Sequence, residues 1–513
     1  MRKVNQLKVG ALLSYVSMGL GYLISIIYTP LMLRLLGQNE YGLYNMVASV
    51  VSYLGLFNFG FGSAYIRYYS RYKVNNDELS IARLNGMFLL IFSLLGLLAG
   101  LAGAYLVIRV KDVFGEKISP EDLHTAKLLM AIMVLNIVIS LVTTVFNAYV
   151  TANEEYIFQK LLQMAKSLLG PFVMLPALLM GFRSIGMAVV TTGLSVLAEM
   201  INLIYCCKKK HISLSFRRFD LRLMREMTVF SSYVFLNMII DQINWNVGKF
   251  ILGRYKGTVA VAIYGLAAQL NSYYISLSTA ISNVFIPRVN RMVARSVPDY
   301  KMTIIFAEIG RLQFLVLSLI CSGLIFFGKP FITMWAGADY SEAYPVALLL
   351  IIPVTVPLIQ NLGIEIQKAK NMHRFRSLVY FLIALFNLGL SIAITGRYGC
   401  IGTAASTAAA LIIGNGLIMN IYYHRRLGLD MRYFWWQIAK FLPSMIAPLL
   451  TGILLNIFID LYQPLTFVIC GLMYVIVFCA SVWIKGLNSF EKSMISKSLA
   501  GIFARLKLRK GYV

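Results

Sequence analysis

Long stretches dominated by Leu, Ile, Val, Phe and Ala recur from one end of the chain to the other, separated by short polar segments. Each stretch reaches the roughly 20 residues that a helix needs to cross a bilayer. The pattern predicts spans near 9–36, 40–66, 84–108, 123–150, 157–180, 185–207, 228–253, 258–287, 302–327, 343–367, 375–396, 400–423, 435–459 and 464–484. That is an all-α polytopic membrane protein with about fourteen transmembrane helices. The first run, 9–36, is too long for a signal-peptide core and lacks a small-residue cleavage site, so it reads as a span.

Composition agrees. Mean hydropathy is +0.74 over 513 residues, and 13% of them are charged, about half the share usual in soluble domains. Six scattered cysteines fit no disulfide or metal spacing, and four separated histidines (His124, His211, His373, His424) do not suggest a zinc site.

The net charge of +26 would suggest nucleic acid if it were clustered on one soluble face. Instead, every second loop is basic: 67–83, 208–225, 288–301, 368–376, 425–432 and the tail from 485. This is the positive-inside pattern, which places both termini in the cytoplasm and turns the charge toward anionic lipid heads rather than nucleic acid.

The chain also repeats itself. LLGQNEYGLY at 35–44 is echoed by ILGRYKGTVAVAIYGLA at 251–267, TANEEYIF at 151–158 by KAKNMHRF at 368–375, and GFRSIGMA at 181–188 by GRYGCIGTA at 396–404. Six spans separate the copies, so the two halves run in the same direction and should be related by a pseudo-two-fold axis along the membrane normal. The expected organisation is a six-helix lobe at 1–207, a basic interfacial linker at 208–227 and a second six-helix lobe at 228–424. Two further helices follow at 425–487, then a basic amphipathic tail at 488–513 with Phe490, Met494, Leu499, Ile502, Phe503 and Leu506 on one face.

Enzymatic motifs do not emerge. GLIFFGKP, 323–330, approaches a phosphate-binding loop but has Pro330 where Ser or Thr must bind magnesium, and it ends a span. The longest external loops carry Asp112, Glu116, Glu121, Asp122, Asp339 and Glu342, yet are short for the catalytic lid of a polysaccharide polymerase or ligase. No catalytic residue, metal site or organic cofactor is expected.

Polar groups inside the spans carry more information, because charge in hydrocarbon costs several kcal/mol unless it meets water or a partner. Asp241 falls about 20 Å into the seventh span, near the midplane, where a short carboxylate cannot snorkel. Asn237, Asp241, Asn244, Trp245 and Gly248 share a face on ideal helical spacing. That face is expected to line a cavity, with packing against another polar span as the alternative.

Spans one, two, seven and eight are richest in amide, hydroxyl and tyrosine: Tyr22, Ser25, Tyr28; Asn45, Ser49, Asn58; Asn237, Asn244; Gln269, Asn271, Tyr273. Such groups can hydrogen-bond sugar hydroxyls, and Arg34, Arg67, Arg288 and Lys249 near the span ends can hold phosphate. Lys249 can equally snorkel, and Trp245 can stack on a sugar or pack at an interface. Glu308 and Arg311, three apart, are expected to pair; Lys166 is a candidate partner for Glu199.

The two repeats, the two additional C-terminal spans, the block TPLMLRLLGQNEYGLYNMVASVVSYLGLFNFGFGSAYIRYYSRY at 29–72 and AIYGLAAQLNSYYISLSTAISNVFIPRV in the eighth span together resemble a known family. It is the polysaccharide-transporter branch of the multidrug/oligosaccharidyl-lipid/polysaccharide superfamily, the lipid-linked oligosaccharide flippases. The resemblance implies two lobes working by alternating access. It implies as cargo an undecaprenyl-diphosphate-linked oligosaccharide, flipped to the outer leaflet of a bacterial cytoplasmic membrane, with a polysaccharide polymerase and co-polymerase as partners. It implies a cavity lined by spans one, two, seven and eight. Some relatives couple transport to Na+ or H+ and to membrane potential; Asp241 is the residue where such coupling is expected here. A multidrug exporter of the same superfamily is the rival reading. It calls for an acidic, aromatic cavity with few arginines.

Overall fold

The computed structural model describes residues 6–115, 118–216, 221–370, 372–489, 491–493 and 496. Among these residues there is no strand. The helices are α1 (Gln6–Val51), α2 (Phe61–Val74), α3 (Glu78–Ile108), α4 (Val110–Phe114), α5 (Pro120–Ala152), α6 (Tyr156–Leu179), α7 (Arg183–Ile204), α8 (Leu221–Gln242) and α9 (Gly248–Lys256). They continue with α10 (Thr258–Ala294), α11 (Asp299–Ala336), α12 (Ala343–Ile359), α13 (Asn361–Ala369), α14 (His373–Leu411), α15 (Met419–Arg425), α16 (Met431–Ala439), α17 (Leu442–Phe458) and α18 (Pro464–Ser481). Eight helical stretches among the described residues are long and apolar enough to cross a membrane, or up to ten if α12–α13 and α16–α17, each bent by 42°, are single spans. The chain is a multi-pass, all-helical membrane protein, as the hydropathy pattern predicts.

That tally is lower than the fourteen predicted runs partly because two continuous helices contain a break. Gly37 (φ 75°) interrupts α1 between the first and second predicted spans, and Gly399 (φ 58°) interrupts α14 between the eleventh and twelfth. A positive φ strains any side chain bearing a Cβ, so glycine ends one helix and starts the next without a longer loop. The turns of the third repeat pair are built alike. Arg183 (φ 44°) and Gly399 take left-handed backbone at corresponding places. Three residues on, a Cβ on Gly186 would lie 2.7 Å from Phe182 Cβ, and one on Gly402 would lie 2.9 Å from Tyr398 Cβ.

The helices group into two compact units: Met1–Tyr273 with Pro345–Leu350 and Arg374–Gly414, and Tyr274–Tyr344 with Ile351–His373 and Asn415–Val513. The core of the first packs α2, α3 and α5 around Tyr65, Phe88, Phe92 and Phe146, with the Tyr65 hydroxyl donating to Asn85 at 2.6 Å. The first part of the linker docks on this unit rather than standing free. Ser215 N–H donates to the Ala82 carbonyl and Asn85 to the Ser213 carbonyl, both at 2.9 Å. The amphipathic stretch expected at 208–227 is thus divided: residues from Leu221 on form the start of α8, and 217–220 lie outside the described residues.

Glu155, in the loop after α5, accepts from Lys210 and, at 3.1 Å, from the Tyr205 hydroxyl. Burial pushes its carboxyl up, but these two bonds and the lysine charge together hold it below the usual carboxylate range. A depressed carboxylate stabilises the fold above its unfolded value and loses that contribution as pH falls through the folded value. Glu155→Gln should therefore raise amide exchange across 208–216 by about fivefold at neutral pH, roughly 1 kcal/mol. Wild type should approach the variant, after correction for intrinsic exchange, only in the acid range. Equal protection of the two at neutral pH would remove Glu155 as the anchor.

In the second unit, Phe306 stacks on Phe434 with ring centres 4.6 Å apart, and Gln313 donates to the Ser278 and Ser282 hydroxyls at 2.9 and 2.7 Å. Arg311 corrects an expectation. It pairs with Glu491, not Glu308: Nε–Oε1 is 2.7 Å and Nη2–Oε2 is 3.0 Å, with the two side chains only 4% and 9% exposed. Glu308, one turn back on the same helix, lies within electrostatic reach of Arg288. The planar guanidinium takes the carboxylate that meets it edge-on, which an i, i+3 neighbour does not offer. Glu491 lies near the start of the predicted amphipathic tail at 488–513, whose apolar positions Phe490, Met494, Leu499, Ile502, Phe503 and Leu506 lie outside the described residues.

Candidate functional site

The polar positions of spans one, two and eight meet in the first unit. Gln269, on α10, donates to the Tyr273 hydroxyl at 2.6 Å and to Thr29 Oγ1 at 3.3 Å, and its carbonyl accepts from the Tyr41 hydroxyl at 3.3 Å. Tyr22 lies edge-on to Tyr273, with centroids 5.3 Å apart. Asn45 donates to the Tyr41 carbonyl at 2.9 Å, and the absence of a side chain on Gly265 leaves room for its amide. Helical spacing on α1 puts Tyr22 and Thr29 two turns apart, while Gln269 and Tyr273 are one turn apart on α10, so the two pairs face each other. Four predicted residues (Tyr22, Asn45, Gln269, Tyr273) thus join one cluster. Tyr41, absent from the predicted site, is its fifth member, and Thr29 its sixth.

Among the described residues, the buried hydroxyls of Tyr22, Tyr28 and Tyr53 and the side-chain carbonyl of Asn271 have no hydrogen-bond partner. A buried polar atom without a partner costs about 1–3 kcal/mol. Tyr22 and Tyr28 lie on α1, Tyr53 just after it and Asn271 on α10, within reach of a polar guest; other such atoms lie on α8, α11 and α18 (Ser231, Gln313, Tyr474). Other predicted residues are placed differently. Ser49 is buried and donates to the Met46 carbonyl of its own helix at 2.7 Å, and Asn271 is 1% exposed. Ser25, Asn58 and Asn244 are half-buried.

The seventh span departs from ideal helical periodicity. Between α8 and α9 the chain forms a π turn, Ile243–Val247, which holds Asn244 and Trp245. One extra residue in the turn shifts everything after it by about a quarter turn against the 3.6-residue count. Asp241 and Trp245 remain exposed, Trp245 at 40%. Gly248, counted with them on an ideal wheel, turns toward Thr403 and Tyr264. The displaced register gives Gln242 and Asn246 a role that the pattern did not reveal. Asn246 donates to Gln242 at 2.6 Å, and Gln242 in turn donates to the Ser52 carbonyl and accepts from the Ser52 hydroxyl. This ties the π turn to the end of α1.

Asp241 makes no hydrogen bond or ion pair among the described residues, and Arg376 of α14 lies within its electrostatic reach. Lys249 is half-buried; Asn237 is exposed. Arg34 is exposed at the end of the first part of α1, and Arg67 is exposed on α2 with its guanidinium 4.8 Å from the Phe230 ring centre. Arg288 belongs to the second unit, exposed on α10. The structure therefore gathers the aromatic and amide groups closely, and the predicted cations are not part of that cluster.

Lys166 and Glu199 do not pair. Lys166 donates to the Ser195 hydroxyl at 2.8 Å, whereas Glu199 accepts from Asn147 at 2.8 Å, and Asn147 also accepts from Asn202 at 2.7 Å. Among the described residues no group of three or more His, Cys, Asp or Glu could hold a metal ion.

Comparison with known proteins places this architecture. The fold is that of the lipid II flippase MurJ in an inward closed conformation: the TM-score is 0.72 at 17% identity, over 95% of this chain and 99% of that one. An inward-facing multidrug resistance MATE family transporter of the MOP superfamily follows at TM-score 0.63 and 12% identity, covering 79% and 94%. In sequence, the chain is 21% identical over 400 residues to a Shigella flexneri protein named "Putative O-antigen transporter", covering 76% of this chain and 91% of that protein. It is 23% identical over 426 residues to the uncharacterized membrane protein EpsK of Bacillus subtilis strain 168, covering 81% and 82%. The family described as polysaccharide biosynthesis protein matches residues 7–293, more than half of the chain. By that match, and in keeping with the resemblance seen in its opening block, this chain belongs to the polysaccharide biosynthesis protein family.

Proposed function

We infer that this protein flips a lipid-linked oligosaccharide, carried on undecaprenyl diphosphate, from the inner to the outer leaflet of a bacterial cytoplasmic membrane. The observation that carries the reading is the cluster of Tyr22, Thr29, Tyr41, Asn45, Gln269 and Tyr273. Amides and hydroxyls there suit sugar hydroxyls, and tyrosine faces suit the apolar side of a sugar ring. Arg34, Arg67, Lys249 and Arg288 would neutralise the diphosphate along its path, and the lipid tail would remain in the bilayer. The names of the O-antigen transporter and the lipid II flippase support a lipid-linked cargo.

Movement would follow alternating access, with both termini cytoplasmic according to the loop charges. An inside-negative potential favours outward movement of an anionic head by about 2.3 kcal/mol per charge per 100 mV, and coupling to Na+ or H+ would act at Asp241. A polymerase and co-polymerase would receive the flipped unit.

The test is flipping of a fluorescent undecaprenyl-diphosphate oligosaccharide in proteoliposomes. Wild type should flip it. Gln269→Ala should slow flipping about tenfold, the worth of one to two hydrogen bonds, while reconstituting normally. Export of cationic dyes with no movement of any lipid-linked sugar would replace this reading with a multidrug exporter.

A further inference from the structure

Lys166 sits ten residues into the 24-residue helix α6, about 15 Å from its start. Lys166 is exposed, as are Gln163 and Ser167 beside it, so its amine is open to a ligand, at a depth where an anion is a better partner than hydrocarbon. Its hydrogen-bond partner among the described residues is neutral, the Ser195 hydroxyl of α7. An ammonium has three donors, so the capacity to bind an anion is left over.

The amine borders a cavity of about 370 Å3 between α6 and α7. Gln163, Ser167 and Thr191 offer amide and hydroxyl groups there, while Met174 and Leu194 form an apolar wall. Gly170 keeps the space clear: a Cβ on it would meet nothing within 4 Å. Polarity continues inward from this point, since Tyr44 of α1 reaches Thr191 and lies beside Tyr28, whose hydroxyl is unpartnered. All of these residues belong to the first unit.

We propose that this cavity is a subsite for one acidic sugar ring of the cargo, its carboxylate or phosphate substituent held by Lys166. The volume is at the small end for ligand pockets, about 300–1,000 Å3, and suits a single ring rather than a whole oligosaccharide. Hydroxyl and amide groups beside an apolar wall match the two faces of a sugar. A bilayer phospholipid does not fit, because its phosphate stays at the interface, a half-membrane away. The assignment rests on the flippase reading for its cargo, and it makes α6 and α7 the part of the protein that distinguishes acidic from neutral repeat units.

The experiment measures ligand-induced thermal shifts of the purified full chain with cellobiouronic acid, cellobiose and inorganic phosphate. Cellobiouronic acid should stabilise wild type, and the other two should do so far less. Lys166→Gln should weaken that binding about tenfold, the loss of one charge-assisted hydrogen bond. Lys166→Arg should keep most of it, and Gly170→Leu, which fills the cavity one turn along α6 while leaving the amine in place, should abolish it. Phosphate binding as well as the acidic sugar, or unchanged binding in Lys166→Gln, overturns the proposal, as does a wild type that binds no probe. Flipping by the same preparation separates the two readings. A protein that flips cargo but binds no probe keeps the flippase and loses the subsite. One that binds cellobiouronic acid through Lys166 but flips nothing keeps the subsite and loses the flippase.

Discussion

Arg311→Ala is expected to destabilise the protein by about 3–5 kcal/mol, because it strands the Glu491 carboxylate in a site that excludes water. The guanidinium spends four of its five donors. Besides Glu491, it bonds the Gln437 carbonyl at 2.6 Å and the Gly486 carbonyl at 2.9 Å, and its centre lies 4.4 Å from the Phe441 ring centre. One residue thereby ties α11 to α16, to the end of the last span and to the segment beyond it. Glu491→Ala should cost less, since both carbonyls and the ring still receive the cation. The double variant Arg311→Met, Glu491→Leu should recover part of the loss, because replacing a whole buried pair by apolar groups removes two desolvation costs together. Thermal unfolding followed by tryptophan fluorescence measures all four proteins. An Arg311→Ala melt indistinguishable from wild type would show that water reaches the pair.

Asp241→Asn is expected to uncouple transport from the ion gradient while sparing downhill movement. One charge moved through 100 mV carries about 2.3 kcal/mol, about fiftyfold in accumulation ratio. That is the gradient-driven component which should vanish. The carboxylate is exposed, free of hydrogen bonds among the described residues, and two residues before a π turn. Asparagine keeps its size, so packing should not change. Proteoliposomes with an imposed Na+ or H+ gradient, with and without a potential, separate the driven from the downhill rate. Gradient dependence that survives in Asp241→Asn would assign Asp241 to structure and move coupling elsewhere.

The helical character of the chain was legible because hydropathy is local: each apolar run carries its own evidence for a span. Gln269 and Tyr273 were legible for the same reason, as polar residues that stand out inside such a run. Tyr41 was not, because it stands at the polar start of the second predicted span, just after the break at Gly37, and nothing there shows that its hydroxyl reaches Gln269, 228 residues away. Arg311 and Glu491 are 180 residues apart, and nothing in either neighbourhood announces the other. Gly248 was placed on the wrong face because a helical wheel assumes 3.6 residues per turn throughout. A single π turn breaks that assumption without any proline or glycine at its centre. Lys166 and Glu199 were put together as opposite charges at similar depth, whereas each hydrogen-bonds a neutral neighbour instead.

The matched turns at Gly186 and Gly402 bear on the history of the chain. In both, a glycine leaves room for the Cβ of an aromatic residue four positions earlier, Phe182 in one half and Tyr398 in the other, 216 positions apart. Two independent origins would have to converge on the same spacing, the same small residue and a positive φ at the same place. A single ancestral segment, copied and then free to diverge everywhere except where a side chain would collide, accounts for all three.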